Sequence, residues 1–299
     1  MKRSAKMRKI TVAVTQMSCS NKSEENFKKA EGMIRKAVKE GAQIVLLQEL
    51  FENPYFPQDQ KYEYLNLARE AEGHPMLERM SALAKELSVV LPVSFFEKAR
   101  QAFFNSVMMI DADGSFLGIY RKTHIPHDPG YWEKFYFSPG DTGFKVWKTS
   151  YCNIGIGICW DQWFPEAARI MTLRGADIIM YPTAIGSEPL SDLDTAGHWQ
   201  RVMQGHAGAN IIPVCASNRV GTEKGDSTEI TFYGSSFISG PDGAIITQAD
   251  RSEETVLVTT FDLDSIRKLR DSFHLFRDRR PKYYQSLLTM DGRNAFLEE

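Results

Sequence analysis

No run of apolar residues approaches the length of a membrane span, and the basic start MKRSAKMRKI is not followed by the apolar stretch of a secretion signal. Cysteine is scarce, with 4 in 299 residues, at positions 19, 152, 159 and 215, and no C-x-x-C pair. That spacing suggests neither a zinc site nor a disulfide framework, so a reduced, cytoplasmic setting is the expectation. Charge of one sign is not in excess either: 36 Lys and Arg stand against 38 Asp and Glu, a net of −2. No broad basic field for nucleic acid or for a membrane surface is expected. The local cluster FRDRRPKYY (276–284) reads as solvated surface or interface rather than a nucleic-acid arm. Internal repeats, low-complexity segments and a convincing linker are also missing, which favours one domain over 1–299.

What is present is ordinary in composition and informative in pattern. Hydrophobic residues make up 42% and charged residues 25%, in a chain long enough to bury a large core. KITVAVTQ (9–16) alternates like a strand. The segment 23–41 places Phe27, Ala30, Ile34, Ala37 and Val38 at helical spacing, with Ser23 as N-cap and Gly41 as the stop. AQIVLLQE (42–49) is a buried-type strand, completing a β-α-β unit. A helix over 76–88, a strand over 89–97 and a hairpin from 103–111 to 115–124 follow, with the turn at Asp113-Gly114. Then come a strand over 151–159, a helix over 165–175 opened by Pro165 and stopped by Gly175, and a strand over 176–184. A helix near 196–209 precedes a strand over 211–220. Strands near 231–239 and 244–249 flank the turn SGPDG, and 255–263 is the last strand before a polar, aromatic tail. Alternating helix and strand with hairpins between them predicts an α/β layered fold with mixed sheets.

Three residues able to do chemistry end predicted strands: Glu49, Lys122 and Cys159. In α/β folds such positions tend to line the site. Each alone has a plainer reading, as a solvated carboxylate, a surface charge or a core thiol. Cys159 stands out in YCNIGIGICWDQWFPE. Gly155 and Gly157 permit close packing beside it, and Pro165 opens a helix shortly after. A strand-to-helix turn projects its side chain, and a helix N-terminus lowers a thiol pKa. A thiol nucleophile needs a base, which Glu49 could be; His124 and His127 of HIPH offer a Cys-His pairing instead, with an ordinary polar loop as the alternative. His198 and His206 lie eight apart, and no carboxylate-rich pattern completes a metal site around them.

LLQELFENPYF (46–56), YRKTHIPH (120–127) and GIGICWDQWFPEAAR (155–169) occur in this order, and together they resemble the signature segments of the nitrilase, or carbon–nitrogen hydrolase, superfamily. The likeness runs from the first strand to YGSSFISGPDG (233–243). It implies a four-layer α-β-β-α sandwich and a Glu-Lys-Cys triad at Glu49, Lys122 and Cys159, with no cofactor and no metal. YWEKFYFSPGD (131–141) matches a loop carrying a further functional glutamate, here Glu133; a charged loop residue beside Lys134 is the other reading. Members commonly form homodimers and larger homo-oligomers, which makes the tail from about 264 a candidate contact surface.

In that chemistry Cys159 attacks an amide-type carbon, and Glu49 takes a proton and returns one to the leaving amine. Lys122 and the backbone N–H of Trp160 stabilise the oxyanion, while Glu133 holds Lys122 or the substrate. Relatives that cleave N-carbamoyl amino acids carry arginines just after the cysteine. Here Gln162 and Trp163 stand there, with no arginine before Arg169, so a small carbamoyl substrate with a cationic end is expected. Asp128, Asp161 or Glu188 would receive its ammonium, although Asp161 could instead cap the helix at Pro165. Tyr55, Trp132, Trp160 and Trp163 would line a slot for its methylenes, with Tyr131 beside them.

Segments 49–58, 130–144 and 159–189 further resemble the branch that hydrolyses N-carbamoylputrescine to putrescine, CO₂ and ammonia on the agmatine route to polyamines. That branch usually reads Asp-Gly-Pro-Gly-Tyr after HIP, where this chain has His127-Asp128-Pro129-Gly130-Tyr131. Rival branches, the β-ureidopropionases and ω-amidases, handle acidic products. A non-catalytic or redox-sensing interaction protein on the same fold would be marked by a lost triad residue, and all three are present.

Overall fold

The computed structural model describes residues 8–187, 189 and 191–293. The first half of the chain builds one sheet. Strand β1 (Lys9–Gln16) turns Ile10, Val12 and Val14 to one side and Ala13 to the other. Helix α1 (Ser23–Lys39) buries Phe27, Ala30, Ile34 and Ala37, the predicted stripe, against that other side. Gly41 stops it at φ 94°. Its N-cap is Lys22 rather than Ser23, whose hydroxyl instead donates to Glu52. Strand β2 (Ile44–Leu46) is parallel to β1 and shorter than the expected 42–49. The chain leaves the sheet after Leu46, which puts Glu49 in a turn rather than on a strand.

Helix α2 (Pro75–Leu87) leads into the antiparallel run β3 (Leu91–Ala99), β4 (Ala102–Ile110) and β5 (Phe116–Arg121). A parallel bridge from Ile44 to Val90 joins this run to β2. The order is thus β14–β1–β2 continued by β3–β4–β5, where β14 (Thr255–Asp262) returns antiparallel to β1.

After the short α3 (Glu133–Tyr136), the second half builds the other sheet. It contains β6 (Val146–Lys148), β7 (Asn153–Ile156), α4 (Pro165–Leu173), β8 (Ile178–Pro182), α5 (Ala196–Asn210) and β9 (Val214–Ser217). The hairpin β10 (Val220–Lys224) and β11 (Glu229–Tyr233) follows, then β12 (Phe237–Ser239) and β13 (Ile245–Gln248). The order is β13–β12–β9–β8–β7–β6, with the central pairs parallel. The expected strand 211–220 is two elements here, and so is 231–239. Gly234 and Ser235, at φ 53° and 56°, turn the chain out of the hairpin before β12.

The two sheets face each other across one core, in which Val12, Val14 and Leu46 meet Ile154, Ile156, Met180 and Ile238. Helices α1 and α2 cover one outer face, and α4 and α5 cover the other. This is the four-layer α-β-β-α sandwich with mixed sheets. The tail is not irregular throughout. Asp262 accepts from the N–H groups of Asp264 and Ser265 at 3.1 Å and starts helix α6 (Leu263–Phe273). Only Leu263 and Ile266 of that helix are buried, although Leu263, Ile266, Leu269 and Phe273 recur at helical spacing in the sequence.

Candidate active site

The carboxyl ends of β2, β5, β7 and β8 converge at one end of the inter-sheet core, and each brings a group there. Lys122 follows β5 directly; its N–H donates to the Asn105 carbonyl and its own carbonyl accepts from Gly140, both at 2.8 Å. Glu49 sits three residues beyond β2, its N–H donating to the Thr183 carbonyl just past β8 at 3.3 Å. Cys159 sits three residues beyond β7, at φ 41°. A left-handed, non-glycine residue at a strand end is a strained position that turns its side chain out of the strand's path. The glycines before it serve packing. A Cβ on Gly155 would lie 3.0 Å from the Met171 side chain of α4, and one on Gly157 would lie 2.8 Å from the Tyr181 ring.

The charged groups are fully buried and linked. Lys122 Nζ donates to Glu49 Oε1 at 2.8 Å and to Glu133 Oε2 at 2.6 Å. Tyr55 OH donates to Glu133 Oε1 at 2.6 Å, and Asn105 Nδ2 donates to Glu49 Oε1 at 2.6 Å. Glu49 Oε2 is buried and accepts no hydrogen bond among the described residues. Asn105, which the motifs do not single out, left one signal: a polar residue in the apolar run FFNSVMMI.

Burial would push the Lys122 ammonium down, but Glu133 and Glu49 hold it charged, above its ordinary range. Glu133 is raised above the ordinary carboxylate range, by burial first and by Glu49 second, against the pull of Lys122. The Cys159 thiol is pushed well up by burial and by Glu49, and Lys122 only partly offsets them. The expectation of a thiolate favoured by a helix N-terminus is therefore corrected. Cys159 opens a single 3-10 turn (Cys159–Trp163), α4 starts only at Pro165, and burial moves the thiol up rather than down.

A cavity of ≈ 310 Å³ opens over the thiol. Tyr55, Tyr131, Trp160 and Trp163 line it with Ala184 and Ile185, and Glu133 and Asp128 bring carboxylates to it. Asp128 is exposed, and its side chain makes no hydrogen bond or ion pair among the described residues. The Tyr131 hydroxyl donates to the Ser187 carbonyl and accepts from Gly186 N–H, each at 3.1 Å, bracing the far wall.

Other expected residues stand elsewhere. Asp161 is fully buried, and both its oxygens are taken, by Ile158 N–H, His124 N–H, the His124 ring and Tyr120 OH. It holds the turn that carries Cys159; it neither caps α4 nor is open to an ammonium. Trp132 lies outside the cavity lining and packs edge-on to His127 at 5.0 Å. His124 is bound to Asp161 at 2.7 Å and stacks on Phe164, so it is committed to that turn rather than to the thiol. Arg169 lies apart from the cavity, donating to the Ala209 carbonyl and packing over Phe276. Glu188 lies outside the described residues. Among those residues no group of three His, Cys, Asp or Glu side chains is arranged to hold a metal ion.

Known proteins share this arrangement of elements. The family model for carbon–nitrogen hydrolase matches residues 11–271. The N-carbamoylputrescine amidase of Solanum tuberosum is 58% identical over 295 residues, covering 97% of this chain and 98% of that protein. The citrullinase of Francisella tularensis is 52% identical over 283 residues, covering 94% of this chain and 99% of that protein. The crystal structure of a carbon–nitrogen hydrolase from Helicobacter pylori G27 superposes with a TM-score of 0.89 at 38% identity, covering 94% of this chain and 99% of that one. With the family model spanning most of the chain, and with relatives this similar over nearly its full length, the protein belongs to the carbon–nitrogen hydrolase family and is an amide-hydrolysing enzyme.

Proposed function

We propose that the protein hydrolyses N-carbamoylputrescine to putrescine, CO₂ and ammonia, on the route from agmatine to polyamines, through a covalent adduct on Cys159. The observation that carries the mechanism is the Oε2 of Glu49, unpartnered among the described residues, in a fully buried cluster with Lys122, beside a thiol that burial pushes up. Such a thiol attacks only as its proton leaves, and Glu49 is the base that takes it. The S–C bond forms at the carbamoyl carbon, and the oxyanion that results meets the Lys122 ammonium and the backbone N–H of Trp160, which makes no hydrogen bond of its own among the described residues. Collapse expels an amine, which takes the proton from Glu49. Water, deprotonated by the same carboxylate, then cleaves the thioester-like adduct, and the thiol recovers its proton. Glu133, anchored by Tyr55, fixes the ammonium from its other side.

The substrate reading rests on the cavity wall. Aromatic and aliphatic faces suit a methylene chain. Asp128, unpaired among the described residues, suits an ammonium at its far end, and the lining includes no Arg or Lys for a carboxylate. Likeness to the plant amidase points the same way. A second reading, a ureido amino acid as substrate, is favoured by the 52% identity to the citrullinase. Turnover of N-carbamoylputrescine, citrulline, N-carbamoyl-β-alanine and an ω-amide in parallel separates these. N-carbamoylputrescine is expected to have the highest kcat/KM, and preference for citrulline or for either acidic compound overturns the assignment.

The same reading takes 1–299 as one catalytic domain and the assembly as a homo-oligomer. The exposure of Phe273, Tyr283, Leu287 and Leu288 supports a contact role for the tail. Four unpaired cysteines support a reducing, cytoplasmic compartment.

A further inference from the structure

Arg219 is a completely buried guanidinium that the chemistry above does not use. It follows β9 and faces the turn that carries Glu49. Its Nη2 donates to the carbonyls of Glu49 at 3.1 Å and Leu50 at 2.6 Å, and its Nη1 donates to Glu223 Oε1 at 2.9 Å. The other oxygen of Glu223 accepts from the Tyr55 N–H. Tyr55 in turn holds Glu133 through its hydroxyl. Both carboxylates that flank Lys122 are therefore tied to one guanidinium, Glu49 through its own peptide and Glu133 through Glu223 and Tyr55.

The turn needs such a tie. Leu50 has φ 49°, a left-handed conformation that a leucine keeps only when outside contacts impose it. Its N–H is held by Ser94 Oγ at 3.0 Å and its carbonyl by Arg219. Two carbonyls and a carboxylate around one side chain match the planar fork of arginine, which lysine cannot reproduce.

We propose that Arg219, paired with Glu223, is a positioning residue for the reaction, which fixes the Glu49 turn and the Tyr55–Glu133 arm so that the two carboxylates clasp Lys122 beside Cys159. The proposal rests on Glu49 being the base and Cys159 the nucleophile, and it is independent of which amide is cleaved. Reacting groups misplaced by an ångström lose about 10² in rate. R219K is accordingly expected to lower kcat about 10²-fold with KM changed by less than about threefold, because the lining residues Tyr131, Trp160, Trp163 and Asp128 lie outside the Arg219 chain of hydrogen bonds. E223Q, which keeps the shape and loses the charge, is expected to lower kcat about tenfold.

The test measures kcat, KM and thermal melting of the full chain and of both variants, together with the pH midpoint of Cys159 alkylation by iodoacetamide, followed by mass spectrometry. Folded R219K should show the fall in kcat and a displaced alkylation midpoint. Wild-type kcat and midpoint, with only a lowered melting temperature, mark a purely structural pair and overturn the proposal. If R219K does not fold, E223Q decides alone: a fall in kcat at unchanged KM supports the proposal, and wild-type values defeat it. A wild-type enzyme inert toward N-carbamoylputrescine, with a midpoint still displaced in R219K, defeats the substrate reading and leaves the positioning role standing.

Discussion

Cys152 and Cys159 belong to the same strand region and the same inter-sheet core, and each is 4% exposed. Burial pushes both thiols up, Cys152 to about 12. Their surroundings differ. Cys152 lies just before β7, with its backbone bonded to Thr149 and only Asp177 and Arg8, charges of opposite effect, acting on its thiol beside burial. Cys159 lies past the other end of β7, with Glu49, Lys122 and Glu133 acting on its thiol. Cys215, in the middle of β9, is likewise fully buried and pushed up chiefly by burial, with Cys152 adding to it. Cover alone therefore does not identify a nucleophile. What separates Cys159 is a buried cluster in which one Glu49 oxygen has no partner among the described residues, together with a backbone that turns the side chain away from the sheet.

The comparison breaks most visibly by substitution. Cys159→Ala is expected to lower kcat by about 10⁴-fold or more, the scale of losing a covalent nucleophile. Cys152→Ala and Cys215→Ala should cost about 1 kcal/mol of stability, read as a lower melting temperature, with kcat within about twofold of wild type. Wild-type turnover in Cys159→Ala, or a comparable loss in Cys152→Ala, would erase the distinction.

Removing the cation comes next. Lys122→Met is expected to lower kcat about 10²–10³-fold, the effect of losing an oxyanion donor, with folding checked by circular dichroism because the two carboxylates are left buried without their counter-charge. A smaller and pH-dependent effect concerns Glu133. Its carboxyl is raised, so acid protonates it sooner than an ordinary glutamate of pKa about 4.3 and releases one anchor of Lys122. The acidic limb of kcat/KM should therefore lie above the ordinary carboxylate range, with activity rising as pH rises through it. In Glu133→Gln that limb should disappear along with most of the rate, and an unshifted limb contradicts the role given to Glu133.

Asp128→Asn should have the smallest effect, because the carboxylate is exposed and its field is screened. KM for N-carbamoylputrescine is expected to rise by up to about tenfold, less at high salt, while an uncharged amide is unaffected. Equal changes for both substrates would remove Asp128 from recognition of the ammonium.

Much of this was legible in the sequence because the signals are local. Strand alternation, the Phe27–Ala37 stripe, and Pro165 and Gly175 around α4 gave the order of elements. Carboxylate, ammonium and thiol at strand ends gave the cluster, and the structure joins two of them directly through the 2.8 Å pair of Lys122 and Glu49. Long-range contacts were not legible. Asp161 reads as a helix cap or a free acid, and only folding brings Tyr120 and His124 onto its oxygens. Asn105 and Arg219 reach Glu49 from 56 and 170 residues away, so no local pattern marks them. Trp132 shares the segment of Tyr131, yet it turns to His127 and not to the cavity. Helix α6 is a local signal as well, with Asp262 as N-cap and Leu263, Ile266, Leu269 and Phe273 at helical spacing, set in a segment whose many charges make it read as a polar tail.

The most direct test of the account is the intact mass of the wild-type protein, acid-quenched within a turnover of mixing with N-carbamoylputrescine and mapped by peptide mass spectrometry. Glu49→Gln, which lacks the base for both forming and hydrolysing the adduct, is the control and should stay unlabelled. A substrate-derived mass on Cys159, and not on Cys152 or Cys215, is the predicted result. Retained turnover with no adduct on Cys159 would contradict it.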